Sequence, residues 1–346
     1  MKNRVTWLLP VKNAMPYLPE TLASIEAQTY TNWEVLAWDD GSTDGTLEEL
    51  KKWIPSRLPG RVIEGTPSGV GAALATLVEE STTELCARID GDDINMPERL
   101  EQQVAFLKNH PEVALVGSQF YAMDEQGVTN NTITDYDRAP LNHDDIVHSL
   151  FARNTISHPS VMFRRSAVLD VGNYHVLPNV EDYDLWLRMA ARHKLANLDR
   201  PLIFYRLHSN SETRSKIREG TLQHLADECL AKHAPSLFGC TEDEARLLRK
   251  RQHPLSISIL SKIAKHLHQT QGGTLMGRFR SHSFIEANQF FISSSDVFSR
   301  LMFAILSGQN SRLAREVISM TKSMVLKFPG AKKWFQLYRQ RYSEQI

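Results

Sequence analysis

Cysteine is scarce in this 346-residue chain: Cys86, Cys229 and Cys240 are odd in number and far apart, which excludes a disulfide framework and a paired-cysteine zinc site. No run of about 18 apolar residues occurs, so a membrane-spanning helix is not expected. The apolar run near Met1 is too short for a secretory leader, and the expectation is a cytoplasmic protein. Neither the G-x-G-x-x-G fingerprint of dinucleotide-binding folds nor the G-x-x-x-x-G-K-[ST] phosphate loop is present. A phosphorylated ligand would therefore need its charge met by something other than a glycine-rich cradle.

Net charge is also lacking, but the zero hides a division. Residues 1–209 hold 19 Lys/Arg against 29 Asp/Glu, and residues 210–346 hold 21 against 11. The acidic part is a poor nucleic-acid binder, and no nucleic-acid motif interrupts the basic part, so nucleic acid is not an expected partner. With 42% apolar residues the chain can bury a full core.

What is present is a βα alternation. Residues 5–9, 33–38, 61–63 and 84–89 read as strands, and residues 17–28, 47–53, 69–80 and 97–110 read as helices between and after them. A mostly parallel sheet follows from that order. Thr46 and Glu49 have the spacing of a capping box. Residues 113–116 and 119–123, with a turn at Glu125-Gln126-Gly127, suggest an antiparallel excursion; residues 143–152 and 181–193 read as helices and 202–205 as a last strand. Beyond Ser209 helical spacing dominates, with breaks expected at Pro235, Pro254, Gly272-Gly273 and Pro329. The division expected is a domain at 1–212 and a basic helical region at 213–346.

Ligands of open α/β sheets sit outside the carboxyl ends of the strands. Two acidic clusters occupy that position: Asp39-Asp40 after the second strand, and Asp90-Gly91-Asp92-Asp93 after the fourth. So many carboxylates at one sheet edge repel one another unless donors or a divalent cation neutralise them, and a hard cation held by carboxylates and phosphates is the Mg²⁺ or Mn²⁺ arrangement. A calcium loop starting at Asp40 is excluded, because Lys51 stands where its twelfth-position glutamate belongs. Turn and cap chemistry accounts equally well for Asp39 to Gly45 taken alone, and helix-dipole chemistry for Glu181, Asp182 and Asp184.

Taken together, these stretches resemble the inverting glycosyltransferases of family 2. The resemblance is carried by Pro10-Val11-Lys12-Asn13, Ser24, Gln28-Thr29-Tyr30, Asp39-Asp40-Gly41-Ser42 and Arg88-Ile89-Asp90-Gly91-Asp92-Asp93, followed by Pro97, Arg99-Leu100, His158-Pro159-Ser160, Glu181-Asp182-Tyr183-Asp184 and Tyr205-Arg206-Leu207-His208. It implies the α/β GT-A (Rossmann-like) fold, a mixed, mostly parallel sheet flanked by helices, followed here by an all-helical C-terminal region. It also implies a nucleotide-sugar donor, commonly UDP-linked, and Mn²⁺ or Mg²⁺ as cofactor. By the same resemblance Pro10, Val11, Asn13, Asp39, Asp40 and Asp90 would contact the nucleotide, Asp90, Asp92 and His208 the metal, and Asp182 would be the general base.

Lys12 and Ala75 depart from the residues common at those places, and the Q-x-x-R-W element of processive synthases is absent, which favours transfer of one sugar. Bacterial surface polysaccharide or lipopolysaccharide assembly, with a glycan or lipid-linked glycan acceptor, is the implied setting. A nucleotide-sugar-binding regulatory or scaffold module without turnover is the alternative. Residues 301–346 carry eight Lys/Arg and two Glu among apolar residues. Peripheral contact with the inner face of the plasma membrane, or packing on neighbouring helices, would use such a segment.

Overall fold

All seven side chains of β1 (Val5–Val11) are buried, as a strand covered on both faces requires. The computed structural model describes residues 4–129, 138–208, 219–249 and 257–271. β1 pairs in parallel with β2 (Trp33–Asp39) and β4 (Leu85–Arg88), and β2 with β3 (Gly60–Glu64). β5 (Ile94–Asn95), β6 (Val113–Met123), β7 (Met162–Arg164) and β8 (Lys194–Arg206) complete an eight-stranded sheet of order β3-β2-β1-β4-β7-β6-β8-β5. The β4–β7, β6–β7 and β5–β8 pairs are antiparallel, whereas β6 and β8 run parallel.

Pro10 sits in a central strand, where a missing N–H is usually costly. The ladder explains its tolerance. Val5 donates toward the β2 side, and Leu8 O receives Ile89 N–H from the β4 side, so even-numbered residues face β4. The β4 pairing ends at Leu8 opposite Arg88, and Pro10 lies beyond it.

α1 (Leu18–Glu26), α2 (Thr46–Trp53), α3 (Val70–Glu80), α4 (Arg99–Asn109), α5 (His143–Leu150), α6 (Arg165–Asp170) and α7 (Glu181–Ala190) accompany the sheet. Leu18, Leu22 and Ile25 of α1 and Leu100, Val104 and Leu107 of α4 join Trp7 and Leu9 in one core. Residues from the middle of the chain pull these layers together. Arg99 is fully buried, lies over the Trp7 ring with 5.0 Å to the centroid, and donates to Asn95 Oδ1, Gln103 Oε1 and the carbonyls of Arg88 and Val161. Burial, with Arg88 nearby, lowers its pKa to about 9. Gln28 bridges Met96 O and Leu100 N–H, and Ser24 Oγ accepts from Asn95. Ser24, Gln28 and Arg99 thus fix the end of β4 and the loop after it.

Four expectations are revised. The excursion at 113–123 is a single strand whose register slips around Ser118 and Gln119, antiparallel to β7 but parallel to β8. The last strand begins at Lys194 rather than 202, its first half carried through Asp199 and Pro201 by those irregularities. Thr46 is the first residue of α2 and not its cap. Asp44 receives the Thr46 N–H and hydroxyl, and Glu49 receives Trp53 Nε1, so the capping box does not form. Pro235 lies inside α8 (Leu222–Phe238), which ends at Gly239 with φ 67°. A glycine closes a helix in that conformation at no steric cost, so the stop signal is Gly239 and not Pro235. Pro254, the 272–273 glycines, Pro329 and the basic 301–346 segment lie outside the described residues.

The sheet ends at Arg206, near where strand signals stop in the sequence. By packing, however, the first unit is Met1–Arg249, which takes in α8 and α9 (Glu242–Arg249), and the second is Lys250–Ile346. In the second unit α10 (Ile257–Gln271) buries Ile259, Ile263 and Leu267 along one stripe. Every regular element described beyond residue 219 is a helix, and among the described residues none is long and apolar enough to cross a membrane.

Candidate active site

The carboxyl ends of β1 and β4 open into a cleft of about 1060 Å³. Pro10, Val11, Lys12, Asn13, Asp40, Asp90, Asp92, Asp182 and His208 all line it. Asp39 does not. It is buried under the loop after β2, where Oδ2 accepts Ser42 N–H at 3.1 Å and Oδ1 has no partner.

That loop is stitched to the end of β1. Asn13, with φ 48°, donates its N–H to Ser42 Oγ and accepts Thr43 N–H at its amide oxygen, both at 2.9 Å. Ala14 N–H meets Thr46 Oγ1 and Met15 N–H meets Asp44 Oδ2. Asp40 receives Ser68 N–H at 2.8 Å, Gly69 N–H at 3.1 Å, Trp38 Nε1 and Ser68 Oγ. Burial alone would push its carboxyl up, but these donors outweigh it and hold the pKa below its ordinary value. Lys12, half exposed, brings Nζ to 3.8 Å of Asp40 Oδ2. Much of the loop motif is therefore hydrogen-bonded to itself and to the turn after β1.

The second cluster is different. Carboxylate oxygens of Asp90, Asp92 and Asp93 lie within 4.8 Å of one another. Asp90 pairs with the buried Arg88, and Asp92 Oδ2 is 2.7 Å from His208 Nε2. Burial raises Asp90 to about 6, Arg88 opposing and Asp92 adding to the rise. Asp93 is fully buried: Oδ1 accepts Arg206 N–H at 2.8 Å, Oδ2 has no partner, and burial with the two neighbouring carboxylates raises its pKa well above the ordinary value. Surplus negative charge, an orphaned buried oxygen and a set of carboxylate oxygens with one imidazole nitrogen beside them fit a hard divalent cation. Arg206 lies over the Tyr17 ring, donates to Asp92 O and ion-pairs with Glu20, holding the strand end that presents His208.

Across the cleft, Asp182 stands in the first turn of α7. Oδ1 accepts Tyr183 N–H and Oδ2 accepts Asn154 Nδ2, each at 2.6 Å. Its pKa is raised by burial against those donors and Arg88. Glu181 beside it is buried, with Oε1 3.8 Å from His158 Nδ1, and burial together with Asp182 lifts it to about 8. His158 also meets Tyr174 OH at 3.0 Å, and burial drives its pKa well down. Glu181 Oε2 has no partner while both Asp182 oxygens are held by donors, so negative charge on this wall is better supported at Asp182.

Asp184 faces away from the cleft. It accepts His233 Nε2 at 2.7 Å and Arg188 Nε at 2.8 Å, with His175 Nδ1 at 2.9 Å. Although Cys229 approaches the same point, those donors occupy the carboxylate, and Asp184 ties α7 to α8. Arg88, Asn154, Glu181 and Arg249 are cleft-lining residues given no role from the sequence. Asn154 and Arg249 lie in stretches without a motif, and only the fold brings them to the cleft.

The family model "Glycosyl transferase family 2" matches residues 6–172. The amylovoran biosynthesis glycosyltransferase AmsE of Erwinia amylovora is 32% identical over 203 residues, 58% of this chain and 74% of that protein. The chain belongs to glycosyltransferase family 2. Its fold agrees: residues 1–349 of S. aureus TarS, solved with UDP-GlcNAc, superpose with a TM-score of 0.53 at 15% identity, covering 93% of this chain and 92% of that one. The mannosyltransferase PcManGT from Pyrobaculum calidifontis, in complex with GDP-Man and Mn²⁺, gives 0.51 at 17% identity, covering 96% and 84%. This family 2 member thus carries the GT-A sheet, and the acidic D-x-D stretch Asp90-Gly91-Asp92 lies at its strand ends.

Proposed function

We propose that the protein transfers one sugar, with inversion, from a nucleotide diphosphate sugar to an acceptor hydroxyl, Asp182 serving as general base. The observation that carries this reading is that the Asp90–Asp92 pair and Asp182 line one cleft from separate elements, β4's end and α7's first turn. The donor's diphosphate would lie against the former and the acceptor hydroxyl against the latter.

Asp182 has both carboxylate oxygens held by neutral donors and, among the described residues, no cation hydrogen-bonded to it. Its burial-raised pKa makes it a stronger proton acceptor than an exposed aspartate. As the acceptor oxygen attacks the anomeric carbon from the face opposite the departing diphosphate, Asp182 takes the hydroxyl proton and the C–O bond to phosphate breaks. Asp92, Asp90 and His208 would hold Mn²⁺ or Mg²⁺, which when bound stabilises charge on the leaving phosphate oxygens. Pro10, Val11, the Asn13 turn and Asp40 would form the wall for the base and ribose.

UDP is the proposed nucleotide, supported by the UDP-GlcNAc in the TarS structure. Surface-polysaccharide assembly on the cytoplasmic side is the proposed setting, supported by the name of AmsE. A glycan or lipid-linked acceptor, with 301–346 resting on the membrane, belongs to the same proposal.

The test is a panel of nucleotide sugars with Mn²⁺, followed by Asp182→Asn. Thermal shift finds the donor, because a ligand of the native state raises apparent stability. The variant should keep nucleotide binding and lose transfer by about 10²–10⁴-fold, the range for a general base. Undiminished transfer by the variant would refute the assignment of the base. A wild-type protein that binds a donor yet neither transfers nor hydrolyses it would favour a binding module instead.

A further inference from the structure

We propose that Arg249, at the far end of α9, is a positioning residue for the transfer reaction, acting on Asp182 through the 150–154 segment and Asn154. The inference rests on the reading of Asp182 as the base, and extends the working site to the α8–α9 helices.

α5 ends at Leu150, and the carbonyls at a helix C-terminus have no intrahelical partner. Here two distant side chains supply the donors. Tyr183, next to Asp182 on α7, gives its hydroxyl hydrogen to Leu150 O, and Arg249 Nη1 donates to Phe151 O at 3.0 Å and to Ala152 O. Arg249 is buried, and its Nε donates to Asp227 Oδ1 of α8 at 2.6 Å. Asp227 in turn receives Gln223 Nε2. The guanidinium is therefore fixed from both sides, and its positive charge sits at a helix C-terminus, where it is favoured. The Phe151 ring meets Phe238 of α8 edge-on, with centroids 5.0 Å apart.

Two residues beyond Ala152 stands Asn154, exposed, so that neighbouring side chains do not clamp it by packing. Its orientation comes from hydrogen bonds: Oδ1 accepts Ile156 N–H at 3.3 Å, which turns Nδ2 toward Asp182 Oδ2 at 2.6 Å. Where the 151–152 carbonyls sit thus sets where Asn154 can reach. A second strut reaches the same helix turn, since His233 of α8 bonds Asp184, two residues after Asp182. A lysine at 249 keeps the charge near Asp227 but lacks the planar fork that bonds two carbonyls and a carboxylate together.

The experiment is a kinetic double-mutant cycle on the full chain with Arg249→Met and Asn154→Ala, Arg249→Lys run beside them. Displacing a reacting group by about 1 Å costs on the order of 10²-fold, so each single change should lower kcat by about 10- to 100-fold with donor KM within about twofold. The double variant should be little worse than the worse single, because both act through one contact. Arg249→Lys should fall between Arg249→Met and wild type. Losses that multiply in the double variant, or a raised donor KM at unchanged kcat, would overturn the proposal. Should Arg249→Met not fold, Arg249→Lys takes its place in the cycle, and wild-type kcat in that variant overturns the proposal as well. Asp182→Asn separates the two failures. If it still transfers, the base assignment falls and this inference with it; if it is dead while both Arg249 variants turn over normally, only the positioning role falls.

Discussion

Replacing Asp184 with asparagine should cost about 3 kcal/mol of stability. Asp184 is fully buried, with His233, Arg188 and His175 as its donors. Burial works against its charge, but the His233 hydrogen bond and the Arg188 ion pair outweigh burial and bring its pKa down to about 2 from the ordinary 3.8. A drop of nearly two units corresponds to about 2.5 kcal/mol at ~1.4 kcal/mol per unit. Asparagine is isosteric but neutral, and it leaves the mostly buried Arg188 without its counter-ion. Removing one partner of a buried pair typically costs about 3–5 kcal/mol. The two routes bracket the expected value.

Because the folded-state pKa is depressed, this stability is fully present above about pH 3.8 and is lost as pH falls through about 2. Urea unfolding of both proteins at neutral pH, followed by a descending pH series, measures it. As pH falls from about 4 toward 2, the gap between wild type and Asp184→Asn should narrow. A difference under about 0.5 kcal/mol at neutral pH, or a gap unchanged at about pH 2, would refute the account of this buried ion pair.

Two further outcomes are expected. Asp92→Asn should abolish most of the dependence of nucleotide binding on Mn²⁺ measured by calorimetry, and EDTA should weaken wild-type binding to the level of the variant; equal affinity in EDTA and in excess Mn²⁺ would remove the cation from the site. Cys86 and Cys229 have thiol pKa values raised by burial to about 12, and Cys240 is buried as well, so a thiol reagent at neutral pH should titrate none of the three until denaturant is added. Rapid labelling of the native protein would contradict their placement.

Sequence alone carried far in the first two thirds of the chain. Strand and helix alternation there is local: apolar runs such as β1 and amphipathic spacing such as Leu18, Leu22 and Ile25 report their own burial, so the parallel sheet and its helices were legible. The positions of Asp90, Asp92 and Asp182 at a strand end and a helix start were legible too, although the roles proposed for them rest on the family resemblance and not on local pattern. Thr46, Pro235 and the start of β8 were misread because each has a local signal that its surroundings override. Asp44 takes the Thr46 hydroxyl, Gly239 rather than Pro235 ends α8, and β6 pulls Lys194–Arg206 into a strand across an irregular register.

What no local pattern carries is the set of contacts between residues far apart in the chain. Asp39 and Asp40 are adjacent and chemically alike, yet one is buried under its loop and the other lines the cleft, where the Ser68 and Gly69 amides, nearly thirty residues away, hold it. Arg249 meets the 151–152 carbonyls across almost a hundred residues, and Asn154 meets Asp182 across 28. The amino-acid sequence determined which segments become strands and helices and which chemical groups stand at their ends, because those choices rest on short-range periodicity and turn chemistry. Only the tertiary structure decided which carboxylates face the cleft, which are neutralised by buried partners and what holds the proposed base, because burial and hydrogen bonding depend on neighbours that the chain brings together only on folding.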